Sequence, residues 1–248
     1  CIRDRRVTDV GARYVEDCRR ILTEVAEADE SASGMHDSPR GRLTVTAPAL
    51  FGTLFVTPIV TAYLTRYPEV NVACWFLDRV VNMMEEGVDV AVRIGPLADS
   101  SMQAIQVGSV RRVICAAPSY LAEHGIPLTP DELAAHTVIS ASGVTPAPEW
   151  RLYEAGEPRI VKVKPRMTTT TNDSAVSAAV SGFGVVRLMS YQVAEHLRQG
   201  RLKILLSEFE APALPIHLVH REGRHASRRA RAFLDLAIQT LRDDPSLN

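Results

Sequence analysis

The sequence predicts an α/β protein in which parallel strands alternate with helices in the doubly wound manner. Three observations carry this. Residues 43–94 pass from strand spacing to helix spacing and back in the order β-α-β-α-β. Residues 129–188 repeat that grammar. Residues 88–94, Val-Asp-Val-Ala-Val-Arg-Ile, form the near-continuous apolar run of a strand buried on both faces of a parallel sheet.

The 248 residues are 46% hydrophobic, enough for one large domain or two modest ones with a sizeable core. A formal net charge of −1 excludes a bulk basic field that would grip nucleic acid, so any DNA contact must come from a local patch. No apolar run is read as approaching the roughly 18 residues of a membrane span, and the charged first thirty residues contain no signal-peptide core. These features place the chain in the cytoplasm.

At the N-terminal end, the Thr8 hydroxyl is suited to cap a helix, and Asp9 puts a negative charge at the positive end of its dipole. Tyr14, Cys18, Ile21, Val25, Ala28 and Ala32 then recur in alternating steps of four and three, the period of a two-stranded seam. The run is under three heptads, and the same spacing also suits a helix packed on its own domain. Residues 34–41, with Ser38 and Pro39, read as a hinge.

Beyond the hinge Leu43, Val45 and Ala47 alternate as a strand, stopped by Pro48 before an apolar helix that reaches Arg66, begun afresh or kinked at Pro58. Residues 71–77 form the next strand. A short helix is expected over 79–86, closed by Gly87 in the left-handed conformation. Further on, Thr129-Pro130-Asp131-Glu132 is a capping box with proline at the first helical position. Residues 138–140, 150–153 and 160–163 alternate as strands, the last two joined by a turn at Ala155-Gly156. Asn172 or Asp173 is expected to cap the helix 174–181, which Gly182-Phe183-Gly184 ends before the strand 185–188. A helix over 191–199 stops at Gly200. A strand over 214–219 and an amphipathic helix capped by Ser227 complete the chain.

Reaction chemistry finds no support. No G-x-S-x-G, H-E-x-x-H or glycine-rich phosphate loop occurs, so the chain reads as no enzyme. Cys1, Cys18, Cys74 and Cys115 show no C-x-x-C spacing and read as buried, inert thiols, with oxidant sensing as the alternative role. His217 and His220, three apart in a strand, point to opposite faces and make no metal site.

The run from Asp78 to Gly95, D-R-V-V-N-M-M-E-E-G-V-D-V-A-V-R-I-G, resembles the D-R-x-V-D-L-V-E-E-G-x-D-x-A-I-R-I-G segment in effector domains of LysR-type transcriptional regulators. It departs at Asn82-Met83-Met84 and at Val92. Gly182-Phe183-Gly184-Val185-Val186-Arg187-Leu188 with Tyr191-Gln192-Val193 resembles that family's G-x-G-I-A-x-L-P-x-x-x-V, with Met189 where proline is usual. The resemblance covers nearly the whole chain except the N-terminal winged helix-turn-helix, which is almost entirely absent.

The resemblance implies two Rossmann-like lobes joined by two hinge crossings, a clamshell like the type 2 periplasmic binding proteins, preceded by a long linker helix. Residues 1–8 would be a remnant of the winged helix-turn-helix, 9–34 the linker and dimerisation helix, and 35–41 a hinge. Residues 42–118 with 217–248 would make lobe I, and 119–216 lobe II. Tyr14, Cys18, Ile21, Val25 and Ala28 would face a partner helix. Arg3, Arg5 and Arg6 stand where the family has its wing, and arginine there suits phosphate oxygens.

In open α/β sheets small molecules bind outside the carboxyl ends of strands, where helix N-termini offer N–H groups to anions. That places a small-molecule effector, often a carboxylate in this family, against Ala49, Leu50 and Phe51, against Arg93, Ile94 and Gly95, against Ser140 and Ser142, and against Thr171 and Asn172. Ala49 and Leu50 replace the hydroxyl usual in the first loop, so an apolar wall is expected on that side with donors opposite. Turn chemistry, core packing and ion pairing are rival roles for these residues. No cofactor is implied. The implied partners are DNA, through the missing N-terminal domain, a second copy or a tetramer of this chain, and RNA polymerase, with no membrane. A stand-alone solute-binding protein shares the clamshell, but the lack of a signal core and the paired-helix pattern oppose it. A degenerate regulator that dimerises without binding DNA is the other alternative.

Overall fold

The computed structural model describes residues 8, 10, 11, 14, 15, 18, 21, 22, 25, 38–97, 102–141, 149–220 and 227–247. Ala28, Ser142, Arg3, Arg5 and Arg6, named above, lie outside these, as do most of the linker and hinge. The described linker residues from Val10 to Val25 are helical, and the Thr8 hydroxyl accepts from the Gly11 N–H at 3.2 Å, as the capping argument requires.

Two five-stranded mixed sheets organise the rest. The first contains β1 (Gly41–Ala47), β2 (Val70–Phe76), β3 (Val90–Ile94), β4 (Gln103–Val110) and β12 (Leu214–His220), in the order β2-β1-β3-β12-β4. The second contains β5 (Arg112–Ala116), β6 (Val138–Ala141), β9 (Pro165–Thr169), β10 (Val185–Met189) and β11 (Lys203–Leu205), in the order β11-β5-β10-β6-β9. A hairpin of β7 (Glu149–Glu154) and β8 (Glu157–Lys162) stands apart and packs on it.

In the first sheet β1, β2 and β3 run parallel, and β12 is antiparallel to both β3 and β4. One continuous helix, α1 (Ala49–Arg66), covers one face together with the closing helix α5 (Arg228–Arg242). Leu43, Val45, Val90, Val92, Ile216 and Leu218 meet Phe51, Tyr63 and Phe233 in this core. The buried Tyr63 hydroxyl donates to the Arg229 carbonyl at 2.8 Å, tying the two helices together. Residues 52–56 of α1 widen into a π turn just before Pro58. The widened turn accommodates a residue that lacks an N–H and whose ring would strike the preceding turn. Contrary to the expectation that no run approaches membrane-spanning length, α1 is long and apolar enough by composition. Its buried residues, among them Phe51, Val56, Ile59, Val60 and Tyr63, belong to this core.

The other face of the first sheet buries Val81, Met83, Val88, Ala91 and Val219. The helix expected over 79–86 is absent. The Asn82 side chain accepts from the Met84 N–H at 3.2 Å, and Arg79 clamps Glu86 through two hydrogen bonds of 2.9 and 2.6 Å. These local bonds offer the backbone an alternative to helix and fold the segment into turns. Gly87 has φ +66, as expected for a left-handed closing residue.

In the second sheet α2 (Pro118–His124) and the 3-10 turn Pro130–Ala135 pack on one face, and α3 (Asn172–Val180) and α4 (Ser190–Arg198) on the other. The capping box expected at Thr129 does not form: the Glu132 carboxylate accepts from the Leu128 N–H at 2.9 Å and from the Thr129 hydroxyl at 3.0 Å, that hydroxyl makes no bond to the helix N–H groups, and the segment is a 3-10 turn rather than an α-helix. The cap of α3 is Thr171 rather than Asn172 or Asp173: its hydroxyl accepts from the Ser174 N–H at 3.4 Å.

The chain changes sheets twice. It leaves the first at Arg111, between β4 and β5, and returns between β11 and β12. The strand before Pro118, read from sequence as the end of lobe I, thus pairs in the second sheet, antiparallel to β10 and β11.

Candidate functional site: the cleft between the lobes

Register fixes which ends of the two sheets face each other. In the first sheet Ile216 pairs with Ile94 and Leu214 with Val110, so the carboxyl ends of β3 and β4 lie where β12 begins. In the second, Met189 at the end of β10 pairs with Arg112 at the start of β5, while β6 and β9 run parallel to β10. The two crossings enter at these same edges. The carboxyl ends of β1, β2 and β3 in one lobe and of β6, β9 and β10 in the other therefore lie at the hinge side, the place where open α/β sheets take ligands.

The hinge has its own bonding. The Arg111 N–H donates to the Ser190 hydroxyl at 3.1 Å, and the Ser190 N–H donates back to the Arg111 carbonyl at 2.8 Å. The Arg111 guanidinium donates to Glu210 at 2.8 Å, so the two crossing segments are ion-paired to each other. Beside them Phe51 and Phe55 of α1 meet Tyr191 of α4 across the lobes, with centroids 5.3 and 5.9 Å from the Tyr191 ring. Burial raises the Tyr191 phenol well above its ordinary value, with the Asp78 charge adding to the shift, so the ring stays neutral.

Three helices begin at this edge, after β1, β9 and β10. Pro48 has no side chain with which to cap α1, and the Asp78 carboxylate reaches across from the end of β2 to accept from the Ala49 N–H at 2.9 Å. Thr171 caps α3 and also donates to the Ser174 hydroxyl at 2.8 Å. At α4 the Gln192 side chain accepts from the Met189 N–H at 3.0 Å and donates to the Tyr191 hydroxyl at 3.2 Å.

The residues named from sequence fare differently. Ala49 and Leu50 are half-buried at the start of α1. Phe51 is fully buried in the core of the first lobe. Arg93 turns to the face opposite α1, where it donates to the Val81 carbonyl at 2.6 Å, and burial lowers its pKa. Ile94 packs against the first core, and Gly95, with φ +105, donates to the Pro215 carbonyl at 2.9 Å. Ser140 is buried near the end of β6, while Thr171 is exposed and Asn172 half-buried at the start of α3.

Sequence reasoning missed Asp78, Arg111, Ser190 and Glu210. Asp78 had a signal, since it opens the quoted D-R run and Pro48 leaves its helix without a local cap. The hinge set had none, because Arg111 and Glu210 meet only through the tertiary fold. Among the described residues no cluster of three metal-ligating side chains occurs. Cys115 is buried, which pushes its thiol up to about 12, but Cys74 is exposed on the edge strand β2 and contradicts the reading of a buried thiol.

A pair of hinged α/β lobes whose strand ends and helix N-termini converge on one cleft is the architecture of a small-molecule sensor or receptor. Residues 36–242 match the LysR substrate binding domain. The chain is 30% identical over 241 residues, covering 96% of itself and 80% of the relative, to the HTH-type transcriptional regulator CrgA of Neisseria meningitidis serogroup B. It is 28% identical over 243 residues, 97% of itself and 77% of the relative, to an HTH-type transcriptional repressor of Pseudomonas aeruginosa. The structure of CrgA from N. meningitidis superposes with TM-score 0.74 at 29% identity, covering 96% of this chain and 81% of that one. The full-length structure of the Vibrio cholerae virulence activator AphB gives TM-score 0.74 at 25% identity, with 94% and 79% covered. The chain belongs to the LysR family of transcriptional regulators and carries its effector-binding domain. These relatives are regulators, and the chain is a regulator rather than an enzyme.

Proposed function

We propose that the chain binds a small anionic metabolite between its lobes and passes the resulting change in lobe closure through the linker helix to a DNA-reading domain. The observation that carries this is the convergence of three helix N-termini on the hinge-side edge where both sheets end their parallel strands. Such a site favours negative charge through oriented N–H groups. Only a ligand with different affinities for two lobe arrangements drives such a change.

Ser140, Ser142, Thr171 and Asn172 are the donors we assign to the second lobe, facing Ala49, Leu50, Ile94 and Gly95 on the first. Phe51 supports that wall from the core side, and Arg93 supports it by holding the Val81 carbonyl. The lobes are assigned to 42–118 with 217–248 and to 119–216 in outline, with the crossings moved to Arg111 and to the segment between β11 and β12.

The linker helix is assigned to pairing of subunits. Tyr14, Ile21 and Val25 expose half or more of their surface at helical spacing, with Cys18 between them, which favours a partner over burial on the same chain. Paired subunits would set two DNA-reading heads on a palindromic operator, with Arg3, Arg5 and Arg6 near the phosphates. Tetramer formation and contact with RNA polymerase belong to the same reading, as does a cytoplasmic location.

Calorimetry against small and aromatic carboxylates tests the cleft. Thr171→Val with Ser140→Ala is expected to weaken the best binder about tenfold or more while leaving the melting temperature within a few degrees, the loss of one or two hydrogen bonds to a charged group. Unchanged affinity in the double variant would remove these residues from the site.

A further inference from the structure

We propose that Arg187 and Arg112 form a second anion-binding site on lobe II, outside the loops of the cleft, that takes a small oxyanion such as a carboxylate or phosphate. Arg187 pairs with Ile114 across β10 and β5, and Arg112 is two residues before Ile114. Directly opposed residues and their neighbours two along share a sheet face, so the arginines are diagonal neighbours within reach of one ligand. That face is the one covered by the β7–β8 hairpin, and Arg187 donates through Nη2 to the Arg151 carbonyl on β7 at 2.6 Å.

The bonding of Arg187 is incomplete. Its Nε is buried with no acceptor, and no carboxylate pairs with either arginine among the described residues. A partly buried guanidinium is ordinarily paired, because an uncompensated charge there is costly. Here the second charge nearby has the same sign. Burial, followed by repulsion from Arg112, lowers the Arg187 pKa to about 10, so it remains charged at neutral pH. In the hinge Glu210 is engaged by Arg111. An oxyanion would satisfy Nε, neutralise the pair, and enter past Arg112, which is exposed. It would also join the first strand beyond the hinge to the hairpin, giving occupancy of this site a direct effect on the crossing at Arg111.

Thermal unfolding of the intact chain, with inorganic phosphate or acetate against chloride at matched ionic strength, tests the site. The wild type is expected to melt higher in the oxyanion with a saturable concentration dependence. The phosphate and acetate arms decide which oxyanion the fork prefers. Arg187→Met is expected to abolish that dependence and, by removing a buried unpaired charge, to melt no lower than wild type in chloride. Arg112→Gln, at an exposed position with little risk to folding, is expected to weaken the apparent affinity about tenfold. The cleft variant Thr171→Val with Ser140→Ala is expected to respond like wild type, which separates this site from the effector site. Equal melting in all three salts, an undiminished response in Arg112→Gln, or loss of the response in the cleft variant would each overturn the assignment.

Discussion

Replacing Phe51 with alanine separates a core residue from a ligand-facing one. The side chain is fully buried in the first lobe's core, 4.7 Å from the Phe55 centroid and 5.3 Å from that of Tyr191, the latter edge-on at 80°. Truncating a buried phenylalanine costs about 3–5 kcal/mol in lost transfer energy and cavity formation. Of this, the edge-on pair with Tyr191 accounts for about 0.5–1.5 kcal/mol. With a urea slope of roughly 1–3 kcal/mol per molar, the midpoint should fall by about 1 M or more. The Tyr191 share is specific to lobe docking, because Phe51 belongs to α1 and Tyr191 to α4. A double-mutant cycle with Tyr191→Leu should therefore return a coupling energy of the pair's size, measured by circular dichroism in urea. A cost below about 1 kcal/mol, the range of ordinary surface changes, joined to a loss of effector affinity, would refute the core assignment and restore Phe51 to the cleft wall.

Two other outcomes follow from close contacts and from charge. A Cβ on Gly184 would lie 2.3 Å from the Thr137 carbonyl oxygen, a backbone atom that cannot move without parting β6 from β10. Gly184→Ala should cost about 3 kcal/mol as overpacking, while Gly200→Ala, at φ +68 with nothing within 4 Å, should cost only the left-handed penalty of about 1–2 kcal/mol; equal urea midpoints would refute the steric argument. Glu86 is held at about 2 by its bonds to Arg79, below the ordinary carboxylate value of 4.5, so its contribution is present above pH 4.5 and lost as pH falls toward 2. The stability gap between wild type and Glu86→Gln should thus close over that window, and a gap independent of pH would sink the pairing.

Much of the architecture was legible before any coordinates. Alternation at 43–47, the apolar run at 88–94 and the Ser227 cap are local signals, and local signals survive into the fold because each fits its own segment of backbone. The carboxyl ends of the strands could be named from sequence because a doubly wound sheet puts every βα loop at one edge. The helix expected over 79–86 failed through competition: Asn82 and the Arg79–Glu86 clamp satisfy backbone and charge in a turn, and a short segment has too few helical bonds to resist. The lobe boundary near Pro118 failed because the pairing partner of a strand is not written in the strand.

By itself, then, the sequence determined the alternation of strands and helices, the amphipathic linker and the edge at which the parallel strands end. The tertiary structure decided which carboxylate caps α1, where the chain crosses between lobes, and that Arg187 meets a backbone carbonyl rather than a carboxylate. Asp78 and Ala49 are 29 residues apart and Arg111 and Glu210 are 99 apart, and contacts across such separations depend on how whole sheets pair and pack. Helical period and capping act over three or four residues and leave a trace in the order of amino acids, whereas strand pairing and charge compensation act through space.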